Sequence, residues 1–420
     1  MLKIENFSEL AKPEEYKKGL FLEVQGQMRK LSQVPKPDGT TEEVYIPWSL
    51  ATINRHYGKD FTAKVILEEI PKLDGEIIVP EHINFQQIIG RFLNTYHPIQ
   101  WKPQEGADWE HIRELFQHIF GVQYELGLDY FQLLYLYPKQ RLPLLLLVAQ
   151  ENNTGKSTFC DFLKAVFGAN ATGMSSEGLR SRFTSTWMNK LIVTVEEKLL
   201  DREGDCELIK NLVTTFTAQS EAKGKDRVEV PFFAKFVMTT NNEDNPLILH
   251  EDDTRVWAIK VPTLGERKEK KPNFLEDCKK EIPYFLHYIS TRQLTTRQED
   301  RLWFRRELVE TEQWLHIVNF CRSNIEKQLA ISIIELMELL DVQQLRYSPK
   351  NLVELLRNEG IRTDKVAILQ LLKKRWKLQP GPKQKYYKYF PADNQQGYMS
   401  TYTSGYPYVF DKEFLQKFTI

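Results

Sequence analysis

The chain has 420 residues, 41% of them hydrophobic and 27% charged, with a formal net charge of +0. This is the profile of an ordinary globular chain of two to four domains, and it rules out nucleic-acid binding through overall charge. Four cysteines (Cys160, Cys206, Cys278, Cys321) and eight histidines lack metal-ligand spacing, which argues against a disulfide scaffold, a structural zinc or a histidine metal nuclease and fits a reducing, cytoplasmic compartment.

The opening MLKIENFSELAKPEEYKKG is charged and has no signal-peptide core. Residues 1–90 mix short apolar stretches with turn signals such as KPDGT and KLDGE, and no chemistry can be assigned to them. Residues 91–140 read as mostly helical, with Trp101, Trp109, Phe116, Phe120, Tyr130, Leu133, Leu134 and Leu136 as core and Pro138 as the stop. Between 141 and 265 the pattern changes to buried strands (LPLLLLVA, LIVTV, FFAKFVMTT, VWAIKVP) alternating with helices over 157–167 and 206–218. That alternation predicts an α/β unit with a mainly parallel sheet. The longest apolar run, Leu142–Ala149, contains Pro143 and is too short to cross a membrane. Residues 266–345 read as a helical linker region, 346–392 as a compact basic module and 393–420 as a polar, tyrosine-rich tail.

The segment LLLLVAQENNTGKSTF (144–159) reads as strand, loop and helix, the arrangement that points backbone N–H groups at an anion. It ends like a phosphate-binding loop, but Gln150 stands where the motif has its first glycine. Asn152 and Asn153 tolerate left-handed torsions and can carry the turn. Thr154, Gly155, Lys156, Ser157 and Thr158 complete the loop: Gly155 permits close approach, Lys156 reaches the outer phosphates and Ser157 ligates Mg²⁺. The plainer alternative is a solvated loop that happens to contain GKS. LIVTVEE then ends a strand with Glu196 and Glu197, where such an ATPase needs acids for metal and water. FAKFVMTTN ends in Asn241, placed to hydrogen-bond a γ-phosphate or act as a turn cap. Arg255 precedes the last strand, as an arginine finger or as an ion-pair partner of Asp252 or Asp253.

NNTGKST, VTVEE, MTTN and DDTRVW together resemble superfamily 3 helicases, in particular the phage, plasmid and poxvirus-type primase-helicases. The resemblance covers roughly 90–262 well and the C-terminal third loosely. It implies an AAA+-like P-loop ATPase core, an α/β fold with a helical region before it and a winged-helix-like domain after it. It also implies ATP and Mg²⁺ as cofactors, a homo-oligomeric ring, usually a hexamer, and single-stranded DNA drawn through its pore. By the same resemblance Lys156 binds phosphate, Ser157 and Glu196 serve the metal, Glu197 directs water, Asn241 senses the γ-phosphate and Arg255 acts in trans. The segment ELIKNLVTTFTAQSEAKGKDRVEVPFF corresponds to the family's helix and pore hairpin. Leu208, Ile209, Leu212, Val213 and Phe216 form the helix's apolar face, and Lys223, Lys225 and Arg227 surround a turn at Gly224; a ring of such charges suits a phosphate backbone, the alternative being a surface turn with solvated lysines. Residues 1–140 hold no paired-aspartate signature, so no primer synthesis is expected.

In the basic module, KNLVELLRN and DKVAILQLLKKRWKL read as two helices around a GIRT turn, with Val366, Leu369 and Leu372 facing inward, and QPGPKQKYYKYF as a short hairpin. Helix–turn–helix followed by a hairpin is similar to a winged helix. Lys373, Lys374, Arg375 and Lys377 can lie along a duplex backbone, and Tyr386 and Tyr387, between Lys385 and Lys388, can stack or wedge. A winged helix devoted to protein contact is the alternative. The reading is an ATP-dependent replicative DNA helicase of a phage or mobile element; the rivals are an ATP-regulated initiator or loader, and a degenerate loop with a structural role.

Overall fold

In the computed structural model, the described residues are 17–35, 41–174, 178, 185–196, 203–220, 228–244, 246–249, 253–264, 273–391 and 397–418. The chain divides into two units, Met1–Pro98 and Ile99–Ile420.

The first unit is built on a four-stranded sheet in the order Thr41–Pro47, Gln27–Pro35, Phe21–Val24, Lys72–Leu73. Leu20, Phe21, Met28, Ile53 and Ile66 form one small core, and Leu22, Val24, Leu73 and Leu93 another. Alternate residues of Phe21–Val24 feed the two clusters, as the two faces of a strand require.

The second unit opens with helices α1 (Glu110–Phe120) and α2 (Tyr124–Leu136), then strand β1 (Leu144–Val148), helix α3 (Lys156–Phe167), β2 (Ala171–Met174), β3 (Ile192–Glu196), α4 (Glu203–Thr214), β4 (Lys235–Thr240) and β5 (Val256–Lys260). The five strands form one sheet, all parallel, in the order β5-β1-β4-β3-β2. Every residue of β1 is buried, as expected of a parallel strand covered on both faces. Each such leucine contributes roughly 1.5–3 kcal/mol by leaving water. The sequence reading found four of these strands and missed β2, whose ATGM has neither an apolar run nor clean alternation.

Helix α5 (Phe274–Thr291) follows. The region read as a linker is instead part of the body here. Phe285 packs 5.3 Å from Phe116 and 4.9 Å from Phe131, and Glu281 accepts from the Ile112 N–H at the start of α1. Arg292 then ion-pairs with the fully buried Asp129. Of the core residues expected before the sheet, Trp101 and Leu136 are half-buried and the other six are buried.

Helix α6 (Glu312–Leu340) has 29 residues, about 43 Å at 1.5 Å per residue. Its first half (Trp314, Ile317, Val318, Cys321) lies in the core of the sheet body, and its second half (Ile325, Leu329, Ile333, Leu336) in the core of the C-terminal module. That module contains β6 (Gln344–Tyr347), α7 (Pro349–Asn358), α8 (Lys365–Gln370), β7 (Gln384–Pro391), β8 (Tyr398–Gly405) and β9 (Tyr408–Asp411). The stretch read as a tail is integral to it. Strand β8 is the partner of β7, β9 pairs with β6, and Tyr408, Phe410 and Leu415 are core. Val366 departs from expectation at 50% exposed and Leu369 is only half-buried, whereas Leu372 is buried as expected, together with Ile368 and Leu371. No helix among the described residues is long and apolar enough to cross a membrane.

Candidate functional site

The order of the sheet determines where a site can form. From β1 the chain goes by way of α3 to the far edge, returns through β3 and β4, and crosses to β5 on the other side of β1. Ligands of open α/β sheets bind beyond the strand C-termini at such a switch point. The register levels three strand ends there: Val148 pairs with Thr240, and Thr239 with Glu196. With strands about 4.8 Å apart, the loop after β1, Asn241 after β4 and the end of β3 share one edge.

The loop after β1 makes its turn without a glycine at 150. Asn153 is left-handed at φ 59° and Gly155 at φ 86°, whereas Gln150 is not among the positive-φ residues. The first glycine's torsional role is therefore not required in this loop. Instead the Gln150 N–H donates to Glu243 Oε1 at 3.1 Å, while Glu243 Oε2 pairs with Lys260 at 2.7 Å. Gln313, at the start of α6, donates to the Glu243 carbonyl at 2.7 Å. On the other side, His118 Nε2–H donates to the Thr154 carbonyl at 2.9 Å, and a Cβ at Gly155 would stand 3.4 Å from the His118 ring.

Gly155 is the N-cap of α3 and brings no side-chain cap, so the first-turn N–H groups have no capping side chain. Lys156 is buried, and its ammonium donates to the Ala149 carbonyl (3.1 Å), the Glu151 carbonyl (3.3 Å) and Asn241 Oδ1 (2.9 Å). Asn241 in turn donates to Asn152 Oδ1 at 2.8 Å. Ser157 is exposed, Thr158 half-buried, and Thr154 buried with no hydrogen-bond partner for its hydroxyl. Four loop and strand-end residues thus converge: Asn152, Lys156 and Asn241 directly, with Gly155 at the helix cap. Glu196 ends β3 on the same edge, its side chain outside the described residues, as is all of Glu197.

Arg255 is engaged within its own chain. Its Nε and Nη2 donate to Asp253, each at 2.9 Å, and the buried Lys210 ammonium lies 3.2 Å from the same carboxylate. Burial alone raises the Asp253 carboxyl; Arg255 and Lys210 outweigh it and hold the group below its ordinary range. The ion pair weighed for Arg255 is therefore present, with Asp253; Asp252 lies outside the described residues. Arg255 also faces a cleft of about 310 Å³ shared with Glu207, Arg301 and Asp364.

Helix α4 buries Ile209, Leu212 and Val213 as expected, but Leu208 is exposed and Phe216, beyond the helix end, is 67% exposed. Phe216 carries the Arg141 guanidinium 3.4 Å over its ring. The strands Thr217–Ser220 and Val228–Pro231 pair antiparallel. The turn between them, with Lys223, Lys225 and Arg227, lies outside the described residues.

In the C-terminal module Lys373, Lys374, Lys377 and Lys385 are exposed. Arg375 pairs with Glu326 of α6 at 2.7 Å, beside Trp376, whose indole N–H donates to the same carboxylate. Lys388 is held by Glu354, 2.7 Å away. Tyr386 does not stack outward: it is buried, and its hydroxyl donates to Asn351 Oδ1 at 2.6 Å. The reason is strand periodicity, which puts Tyr386 and Phe390 inside and Tyr387 outside.

Sequence reasoning missed His118, Lys210 and Glu243. Glu243 could have been suspected two residues after a strand-end asparagine. His118 and Lys210 sit on helices and gave no sign, because only the tertiary fold brings them to the loop and to Asp253.

Residues 147–255 match a family described as of unknown function (DUF5906). Over 242 residues, 52% of this chain, the sequence is 24% identical to the "DNA Primase-polymerase" of Nitratiruptor phage NrS-1, and the match covers 33% of that protein. The fold is similar to solved apo structures of the NrS-1 C-terminal region (305–718). One has a TM-score of 0.53 at 19% identity, with 84% of this chain and 86% of that one covered. A second form has a TM-score of 0.54 at 18% identity, covering 86% and 84%.

Proposed function

We propose that this chain is an ATP-dependent motor for DNA replication in a phage or mobile element, working as a homo-oligomeric ring, in the manner of superfamily 3 helicases, on single-stranded DNA. One observation carries the reading: Lys156, Asn241 and the end of β3 share one sheet edge at an uncapped helix N-terminus. The likeness to part of a phage replication protein supports the setting.

The residues fit a magnesium triphosphate. First-turn N–H groups behind a left-handed glycine, and an ammonium beside a strand-end amide, offer donors and positive charge to one anion. Bound Mg²⁺ supplies charge neutralisation on the phosphate oxygens. Asn152, Asn153, Thr154 and Gly155 form the cradle, with Thr158 in the first turn. Lys156 exchanges its loop carbonyls for the outer phosphates. The Ser157 hydroxyl and Glu196 hold the metal, Glu197 orients the attacking water, and Asn241 hydrogen-bonds the γ-phosphate. Arg255 leaves Asp253 to reach the nucleotide of a neighbouring subunit, which places ATP sites between subunits. Lys223, Lys225 and Arg227 line the pore, and the C-terminal module, read as a winged helix, contacts DNA through Lys373, Lys374, Arg375, Lys377, Lys385 and Lys388.

The test is phosphate release with and without single-stranded DNA, alongside measurement of oligomeric mass. DNA-stimulated turnover by an oligomer, with strand displacement, supports the motor. Turnover and assembly without displacement support instead an ATP-regulated initiator or loader, and no nucleotide binding leaves neither. Lys156→Ala and Arg255→Ala, each inactive alone, regain partial turnover when mixed if the site is shared; no regain counts against sharing.

A further inference from the structure

The hairpin of the C-terminal module has two faces, and they are unlike. Register places Tyr386 and Phe390 on the face that enters the core, where Lys388 meets Glu354. The opposite face carries Lys385, Tyr387 and Tyr389 from β7 and Tyr398 and Tyr402 from β8, because directly paired residues share a face. Tyr387 pairs with Tyr402 across the strands, ring centroids 4.9 Å apart; Tyr389 lies 6.4 Å from Tyr387 and 5.7 Å from Tyr398. The four rings form one continuous row, in which Tyr389 is half-buried against the core of the module and the other three are exposed. Tyr387, Tyr402 and Tyr398 are 55%, 57% and 47% exposed.

An aromatic row of this kind on a solvent-facing ribbon has a cost that needs a reason. Its charge environment indicates the occupant. Residues 365–391 include eight basic and no acidic residues, and 397–410 include no charged residue at all. Asp393, between the two strands, lies outside the described residues. Tyrosine rows also serve protein interfaces, but the basic surroundings of this one favour a polyanion, and a duplex offers its phosphates but keeps its base faces stacked. Unstacked bases on a phosphate backbone match both features: every base has a π-face for a tyrosine, and the phosphates meet lysines.

We propose that this tyrosine face is a stacking platform for single-stranded nucleic acid, with Tyr387 and Tyr402 at its centre and Lys385 supplying charge. The proposal refines the DNA-binding reading of the module but does not rest on ATP turnover. Binding here is sequence-tolerant, since stacking does not read base edges.

The experiment uses the full chain without nucleotide. A thymidine oligomer carrying 5-iodouracil is irradiated with the protein, and the cross-linked residues are mapped by mass spectrometry. Fluorescence anisotropy with a plain thymidine oligomer and with a duplex follows. The expected result is cross-links at Tyr387, Tyr398 or Tyr402, and a loss of about tenfold or more in single-strand affinity for Tyr387→Ala/Tyr402→Ala. Tyr387→Phe/Tyr402→Phe retains affinity, because the stacking ring remains, and duplex affinity changes little in either variant. Unchanged single-strand affinity in a folded alanine variant overturns the proposal, as do cross-links only elsewhere in the chain or an equal loss for duplex. A protein that hydrolyses no ATP but cross-links at these tyrosines refutes the motor alone. An active motor that cross-links only elsewhere refutes the platform alone.

Discussion

The Lys156 ammonium and the Asn241 side-chain oxygen are 2.9 Å apart, although 85 positions separate them in the chain. The contact is possible because β1 and β4 are neighbours in register, so the residues that follow them leave the sheet side by side. It joins the loop's one buried cation to the strand-end amide, and it orders the predictions that follow.

Lys156→Ala is expected to reduce ATP turnover by at least about 10²–10³-fold, the cost of removing a donor aimed at developing charge. Asn241→Ala removes an acceptor from Lys156 and a donor to Asn152, and is expected to reduce turnover with a smaller effect on nucleotide affinity. Phosphate release and a nucleotide-binding titration check both, with circular dichroism as the folding control.

Gln150→Gly is expected to leave turnover within about twofold of the wild type, because residue 150 has no left-handed torsion for a glycine to relieve. Glu243→Ala is expected to lower nucleotide affinity about tenfold, since it removes the charge-assisted bond that holds the Gln150 N–H. Titration of a fluorescent ATP analogue separates the two variants. A large gain from the glycine would show instead that the nucleotide-bound loop needs a left-handed torsion at residue 150.

Asp253 binds two cations at a buried position. Asp253→Ala takes one of two carboxylates from the buried Lys210, which keeps Glu207 2.5 Å away, and is expected to cost about 1.5–3 kcal/mol of stability. The native carboxyl titrates below its ordinary 3.8. Its stabilisation is therefore complete above the unfolded value and is lost as pH falls through the folded one. Denaturant unfolding at pH 7 and across pH 5 to 3 checks both statements; the variant is expected to lack this part of the acid sensitivity.

Lys235 is buried, and desolvation lowers its ammonium from 10.5 to about 7. It donates to the Phe233 carbonyl at 2.8 Å and to that of Pro138. The folded chain holds this proton less tightly than the unfolded chain, so this residue's contribution to stability rises with pH between about 7 and 10.5 and is level below 7, where both states hold the proton. Lys235→Met is expected to flatten that part of the curve. Unfolding midpoints from pH 7 to 10 provide the measurement.

Much of the α/β body could be read in the sequence because buried parallel strands announce themselves. LLLLV, IVTV, KFVMTT and VWAIK are short apolar runs bounded by polar loops. The residues proposed for the nucleotide site were legible for a related reason: each follows such a run, at the end of a strand, where chemistry collects in parallel sheets. β2 was not legible, since ATGM gains its strand character from pairing with β3 rather than from its own side chains.

By itself the sequence determined the parallel strands, the loop with its asparagine turn and the basic run at 365–390, because these depend on local period and local charge. Only the tertiary structure decided which tyrosine faces the core, that the supposed tail supplies the partner strand of the hairpin, and that Glu243, His118 and Lys210 meet residues far away in the chain. Those outcomes depend on strand register and on helices brought together across long loops, and no window of neighbouring residues encodes either.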